Sequence, residues 1–140
     1  MKLEKIFDAK DGKLIKIDGA DFHIKALPLS WREVEPDEEG AYNEEKLAAL
    51  RLELKALEGT SQFVYISPVA DKNAAAEELT AAMKHAARRL KDCTAIAGFA
   101  IPDTFSAENA AHFVEELSQK HAQYVFFSKA KIEGLQTILL

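Results

Sequence analysis

The stretch that most constrains this chain is Thr94–Asn109, TAIAGFAIPDTFSAEN. A continuous apolar run, a Pro-Asp-Thr loop and a helix start follow one another without interruption. A strand that is apolar at successive positions must be covered on both faces, and a parallel sheet flanked by helices provides that cover. The same order occurs at Gln62–Ala76 and, less completely, at Tyr124–Lys131. The chain is therefore expected to be α/β, with βα units building a small, mainly parallel sheet flanked by helices.

Residues 1–29 read differently. In KIFDAKDGKLIKIDGADFHIKAL, Asp11-Gly12 and Asp18-Gly19 are turn signals, because Asp tolerates positive φ and Gly supplies it. Ile15 and Ile17 share one face of the intervening strand, with Leu14 and Lys16 on the other. Phe22, Ile24 and Ala26 then alternate with His23 and Lys25, the period of a half-buried strand. The expectation is an N-terminal β-hairpin or meander over 1–29. An acidic loop over 30–43 should follow, then βα units over 44–140, all within a single domain 1–140. REVEPDEEGAYN, residues 32–43, carries five carboxylates with one Pro and one Gly, the composition of a solvated loop rather than of a calcium loop.

Three amphipathic helices complete the pattern. Asn43 caps the first, whose apolar stripe is Leu47, Leu50, Leu54 and Leu57, with Gly59 placed to stop it. The second starts near Asn73 or Ala74 and buries Leu79, Ala82, Met83, Ala86 and Leu90. The third carries Ala110, Phe113, Val114 and Leu117 inward, with His121 at its far end, where the helix dipole favours a positive charge. Gly98, inside an apolar strand, marks a bulge or a close approach by another backbone. Gly134 separates the fourth strand from Leu135–Leu140, an edge strand or oligomer contact. An eight-unit barrel typically needs about 250 residues. A small open or half-barrel-like sheet thus fits better than a closed barrel.

Composition excludes several classes. The net charge is −5, and no basic stripe with interleaved aromatics is visible, so neither nucleic acid nor a membrane is an expected partner. The lone Cys93 forbids an internal disulfide or a multi-cysteine metal site, and no signal-like apolar run is present. Both facts fit the cytoplasm. GxGxxG, GxxxxGK[ST], GxSxG and HExxH are all absent, leaving no motif for a cofactor, a metal or serine-hydrolase chemistry. Arg88, Arg89 and Lys91 precede Cys93, a setting that would depress a thiol pKa.

Ligands of parallel α/β sheets sit beyond the strand C-termini. That rule selects Trp31, Asp71, Asp103, Thr104 and Lys129 as candidate ligand-binding residues, with Asp71 and Asp103 as the carboxylates available for acid–base work. Each has a structural alternative. Asp103 or Ser106 suits the N-cap of the third helix, Asp71 or Asn73 that of the second, and Trp31 suits core packing.

Two segments resemble parts of the cellulase-type glycoside hydrolases, which are (β/α)8 barrels. AKDGKLIKIDGADFHIKALPLSW is similar to the strand pair with which many of those enzymes begin. AARRLKDCTAIAGFAIPDTF resembles the helix and strand leading to their Asn-Glu-Pro acid/base motif; together the segments cover roughly a third of the chain. Here Asp103-Thr104-Phe105 stands in that place, so a threonine replaces the catalytic glutamate. The resemblance implies a shortened, non-hydrolytic relative. The expected function is binding of a partner or polar ligand without catalysis, with self-association as a homo-oligomer. The alternative is an enzyme acting on a carbohydrate-like compound through carboxylates at the strand ends.

Overall fold

A computed structural model describes residues 4–36, 41–70 and 74–140. Strands β1 (Phe7–Lys10) and β2 (Lys13–Lys16) form an antiparallel hairpin. Its two-residue turn has positive φ at both Asp11 (53°) and Gly12 (75°), as the right-handed twist of the flanking strands requires.

The remaining strands make one five-stranded sheet. These are β3 (His23–Ser30), β4 (Gln62–Val69), β5 (Ile96–Ala100), β6 (Val125–Ser128) and β7 (Ile138–Leu139). They lie side by side in chain order, and every neighbouring pair is parallel. The expected parallel α/β sheet is present. The meander is corrected at its third strand: β3 opens the parallel sheet, pairing with β4 along one edge, and does not pair with the hairpin, which packs across the face of that sheet.

Helices α1 (Trp31–Val34), α2 (Glu44–Lys55), α3 (Ala76–Arg89) and α4 (Ala107–Ser118) connect the strands. Right-handed crossovers between strands in sequential order put the helices on one face. The larger core joins Leu47, Leu50, Leu54, Leu79, Met83, Phe113 and Leu117 to Val64, Ile66, Phe99 and Phe126 of the sheet. Those are the helix stripes expected from the sequence. The hairpin covers the opposite face, where Phe7 packs edge-on against Phe63 (4.8 Å between centroids) and Ala9 joins Ala97, Val125 and Phe127. Leu14 turns toward this second core and the Lys16 ammonium lies 5.6 Å from the Phe63 ring centroid, while Ile15 and Ile17 remain exposed.

Gly98 is both bulge and close approach. Val64 pairs with Ile96 but Tyr65 with Gly98, so Ala97 is an extra residue in β5. A Cβ on Gly98 would lie 1.6 Å from the Val125 carbonyl oxygen. The bulge also resets the alternation: Ala97 and Ala100 face the hairpin while Ile96 and Phe99 face the helices.

Three further details depart from the sequence reading. The acidic loop begins with α1, started by a capping box in which Ser30 accepts from the backbone while Glu33 reaches back to the Ser30 N–H. Helix α3 starts at Ala76 with no side-chain cap, and Asp71 and Asn73 lie outside the described residues. Pro68, where a strand read from the sequence would be expected to stop, falls inside β4, two residues beyond the last pair with β5, so its missing N–H costs no ladder bond. Among the described residues no helix is long and apolar enough to cross a membrane.

Candidate functional site

Because all five strands are parallel, their C-terminal ends share one rim. Asp103 and Thr104 lie on it at the centre of a tight turn, closed by the Phe105 N–H donating to the Pro102 carbonyl at 3.1 Å. Phe105 anchors the turn by packing edge-on against Phe113, 5.9 Å between centroids. Lys129 follows β6, and its loop is held by Ser128, whose hydroxyl donates to the Ala130 carbonyl and meets the Thr137 hydroxyl, each at 2.8 Å. Two hydrogen-bonded turns thus present Asp103 and Lys129 to each other. Nζ lies 3.2 Å from Oδ2, with side chains 73% and 59% exposed for Lys129 and Asp103.

The capping assignment for Asp103 is corrected. Ser106 is the N-cap of α4 and accepts from the Asn109 N–H at 3.0 Å, which leaves the Asp103 carboxylate on the rim. Trp31 is corrected in the other direction. Its indole is only 2% exposed, its Nε1 donates to Glu35 at 3.3 Å, and the Arg32 guanidinium lies 3.9 Å from its ring centroid. The capping box turns Trp31 into the core, so it offers no aromatic platform to a ligand. Asp71 lies outside the described residues; Thr104 is exposed beside Asp103. The structure therefore brings Asp103 and Lys129 together, leaves Thr104 exposed next to Asp103 in the chain, and buries Trp31 in the core.

An aromatic side chain does face the open part of the sheet. Tyr65 stacks on Phe127 at 4.4 Å and shares the hairpin-side face with Phe63. By alternation Ser67 and Val69 continue that face toward the rim. Across the register lie Ala26 and Pro28, both exposed. The period-two pattern of QFVYISPV carried this signal, since it sets Phe63, Tyr65 and Ser67 opposite Val64 and Ile66. A groove of about 800 Å³ adjoins the rim between the hairpin turn and the β6–β7 loop, and it includes Asp11, Lys131 and Glu133. Asp103, Thr104 and Lys129 do not line it.

Two sequence expectations about titration reverse. Burial, reinforced by Asp92, pushes the Cys93 thiol up to about 11, so the nearby cations do not activate it. Burial likewise pushes the His121 imidazole below its ordinary value and so disfavours charge, the opposite of a dipole-stabilised cation. Among the described residues no three His, Cys, Asp or Glu side chains converge on a metal position.

No family model matches the chain, and no curated protein does. Among solved structures, a GH5_18 from Bifidobacterium longum subsp. infantis superposes with a TM-score of 0.55 at 10% identity. The match covers 76% of this chain and 34% of that one, so the chain spans about a third of that structure. At this identity the likeness is one of fold: the parallel sheet and its helices resemble part of a glycoside hydrolase structure.

Proposed function

We propose that this chain is a non-catalytic binding domain for a polar ligand, held at the C-terminal rim of the sheet by Asp103, Thr104 and Lys129. The observation that carries the reading is the 3.2 Å pair between Asp103 and Lys129, residues distant in sequence that neither cap a helix nor fill the core. A carboxylate acceptor, an ammonium donor and a hydroxyl within two short turns suit a polyhydroxylated molecule, whose hydroxyls both donate and accept. The fold likeness to part of a GH5_18 structure is what favours a carbohydrate-like ligand in this reading. Thr104 stands where the resemblance would put a catalytic glutamate, and no second carboxylate accompanies Asp103 in its turn. Hydrolysis of a glycosidic bond uses two carboxyl groups flanking that bond.

The test is a thermal-shift screen of mono- and oligosaccharides and polyols against the wild type, Asp103→Asn and Lys129→Ala. Stabilisation of the wild type that both variants lose supports the reading. Shifts identical in all three proteins remove these residues from the site. Release of reducing sugar that Asp103→Asn abolishes would replace binding by catalysis. The single, buried Cys93 also suits a reducing compartment, and we assign the chain to the cytoplasm on that ground. Recovery of the tagged protein in an exported fraction would contradict the assignment.

A further inference from the structure

A five-stranded open sheet has two edges, and in this molecule they differ. The β7 edge is closed: the Leu139 N–H donates to the Gly12 carbonyl at 2.9 Å, so the hairpin turn covers it. The β3 edge is open. The His23 N–H bonds the Ser61 carbonyl, which directs the odd-numbered residues of β3 toward β4 and the even-numbered ones outward. Among the described residues nothing bonds the outward N–H of Ile24 or Ala26. Pro28 occupies an outward position, where a missing donor costs the sheet nothing. Beside this edge the exposed face is apolar, formed by Ala26, Pro28 and Val69.

We infer that two copies of this chain pair through β3, antiparallel about a twofold axis, into one continuous ten-stranded sheet. The occupant follows from the edge count. A head-to-tail contact needs two complementary open edges, whereas an isologous contact needs one. Among the described residues the five-stranded sheet offers one, and a twofold pairing uses it up and leaves that sheet no edge for further growth. The tail Leu135–Leu140 is thereby replaced as the self-association surface, since the hairpin turn already covers its edge.

The residues of β3 also narrow the register, and the pairing proposed is the one centred on Ala26. Directly opposed residues in an antiparallel pair share a face. Centring on Lys25 would oppose two lysines, which is unfavourable. Centring on Ala26 opposes Ile24 to Pro28 of the partner copy and Lys25 to its Leu27, with no like charges in contact. The two Ala26 residues then exchange N–H···O bonds, and each Ile24 N–H donates to the other copy's Pro28 carbonyl. Pro28 cannot donate in return, so the ladder ends there.

The test is light scattering after size exclusion from low to high micromolar concentration. The expected species has twice the 15.5 kDa chain mass. Ala26→Pro removes the central outward donor, and Ala26→Lys opposes two ammonium groups at the axis. Both should raise the dimer dissociation constant at least tenfold with unchanged far-UV circular dichroism. Ala26→Cys supplies a readout of register, because Cα atoms of a hydrogen-bonded antiparallel pair lie about 5.5 Å apart, within disulfide range. It should crosslink readily on mild oxidation, and Lys25→Cys should not. A monomer at every concentration overturns the inference. So does a dimer that Ala26→Lys leaves intact and Ala26→Cys fails to crosslink. Neither result touches the rim reading, which uses other residues.

Discussion

Replacing Gly98 by alanine should be among the most damaging single changes available to this chain, although it adds one methyl group. The new Cβ would lie 1.6 Å from the Val125 oxygen, 2.7 Å from its carbon and 2.9 Å from its nitrogen. Reaching the 3.0 Å below which real contacts essentially do not occur requires the β6 backbone to retreat by about 1.4 Å. That motion breaks ladder bonds among the three β5–β6 residue pairs, Gly98–Val125, Phe99–Phe126 and Ala100–Phe127. Two or three lost hydrogen bonds cost about 2–3 kcal/mol in total, and loosening the Phe99 and Phe126 packing adds about 1–3 kcal/mol. The sum, about 4 kcal/mol, is a large part of the 5–15 kcal/mol typical of a folded domain. With a urea slope of about 2 kcal/mol/M, the midpoint should fall by about 2 M. Trp31 is the only tryptophan and is buried, so its fluorescence reports the transition. Gly59→Ala is the internal comparison. Gly59 has φ of 82° and no atom within 4 Å of a built Cβ, so only the left-handed backbone is penalised, by about 1–2 kcal/mol. If Gly98→Ala lost no more stability than Gly59→Ala, the close approach of β5 to β6 would be refuted.

Other predictions rest on single contacts. Ser106→Ala should cost about 1 kcal/mol through the lost cap on α4. Asp103→Ala, at an exposed ion pair, should change stability by less than about 0.5 kcal/mol, and thermal melts of the two variants separate the roles. Cys93 should resist a thiol reagent at pH 8 and react promptly in urea. Because its folded pKa is raised from 9.0 to about 11, its contribution to stability is complete below pH 9 and is lost as pH rises toward 11. Glu44, Asp92 and Glu116 have carboxyls held below their ordinary values, chiefly by hydrogen bonds from His85, Arg51 and Lys84 respectively. Their contribution is present above the ordinary values of 3.8–4.5 and disappears as pH falls through the lower folded ones. Urea midpoints should therefore drop below pH 4.5, and less steeply in high salt, because these pairs are largely solvent-exposed. An acid limb unchanged in Arg51→Ala would remove Asp92 from that account.

The fold was legible wherever a local rule had one solution. Asp11-Gly12 demanded a turn with two positive φ values, and the leucine spacing of α2 demanded one buried face. The candidate site was legible only as a rim. Asp103 and Ser106 both fit a helix N-cap by residue type, and the choice between them depends on which oxygen reaches the N–H two or three residues into the helix. Trp31 followed a strand end and so looked available on the rim. The capping box of Ser30 and Glu33, which turns the indole inward, is a local motif that the acidic composition of the following loop obscured.

The sequence by itself determined the alternation of strands and helices and the hairpin turn, whereas the need for glycine at position 98 comes from the Val125 backbone of β6. The alternation and the turn depend on periodicity and on backbone φ, both of which act within a few residues. Tertiary structure decided that β3 leaves the hairpin for the parallel sheet, that Lys16 rather than Ile15 faces the second core, and that Asp103 meets Lys129. Such pairings join residues far apart in the chain. Their energies depend on which surfaces the packed sheet leaves to be covered, and no local pattern encodes that.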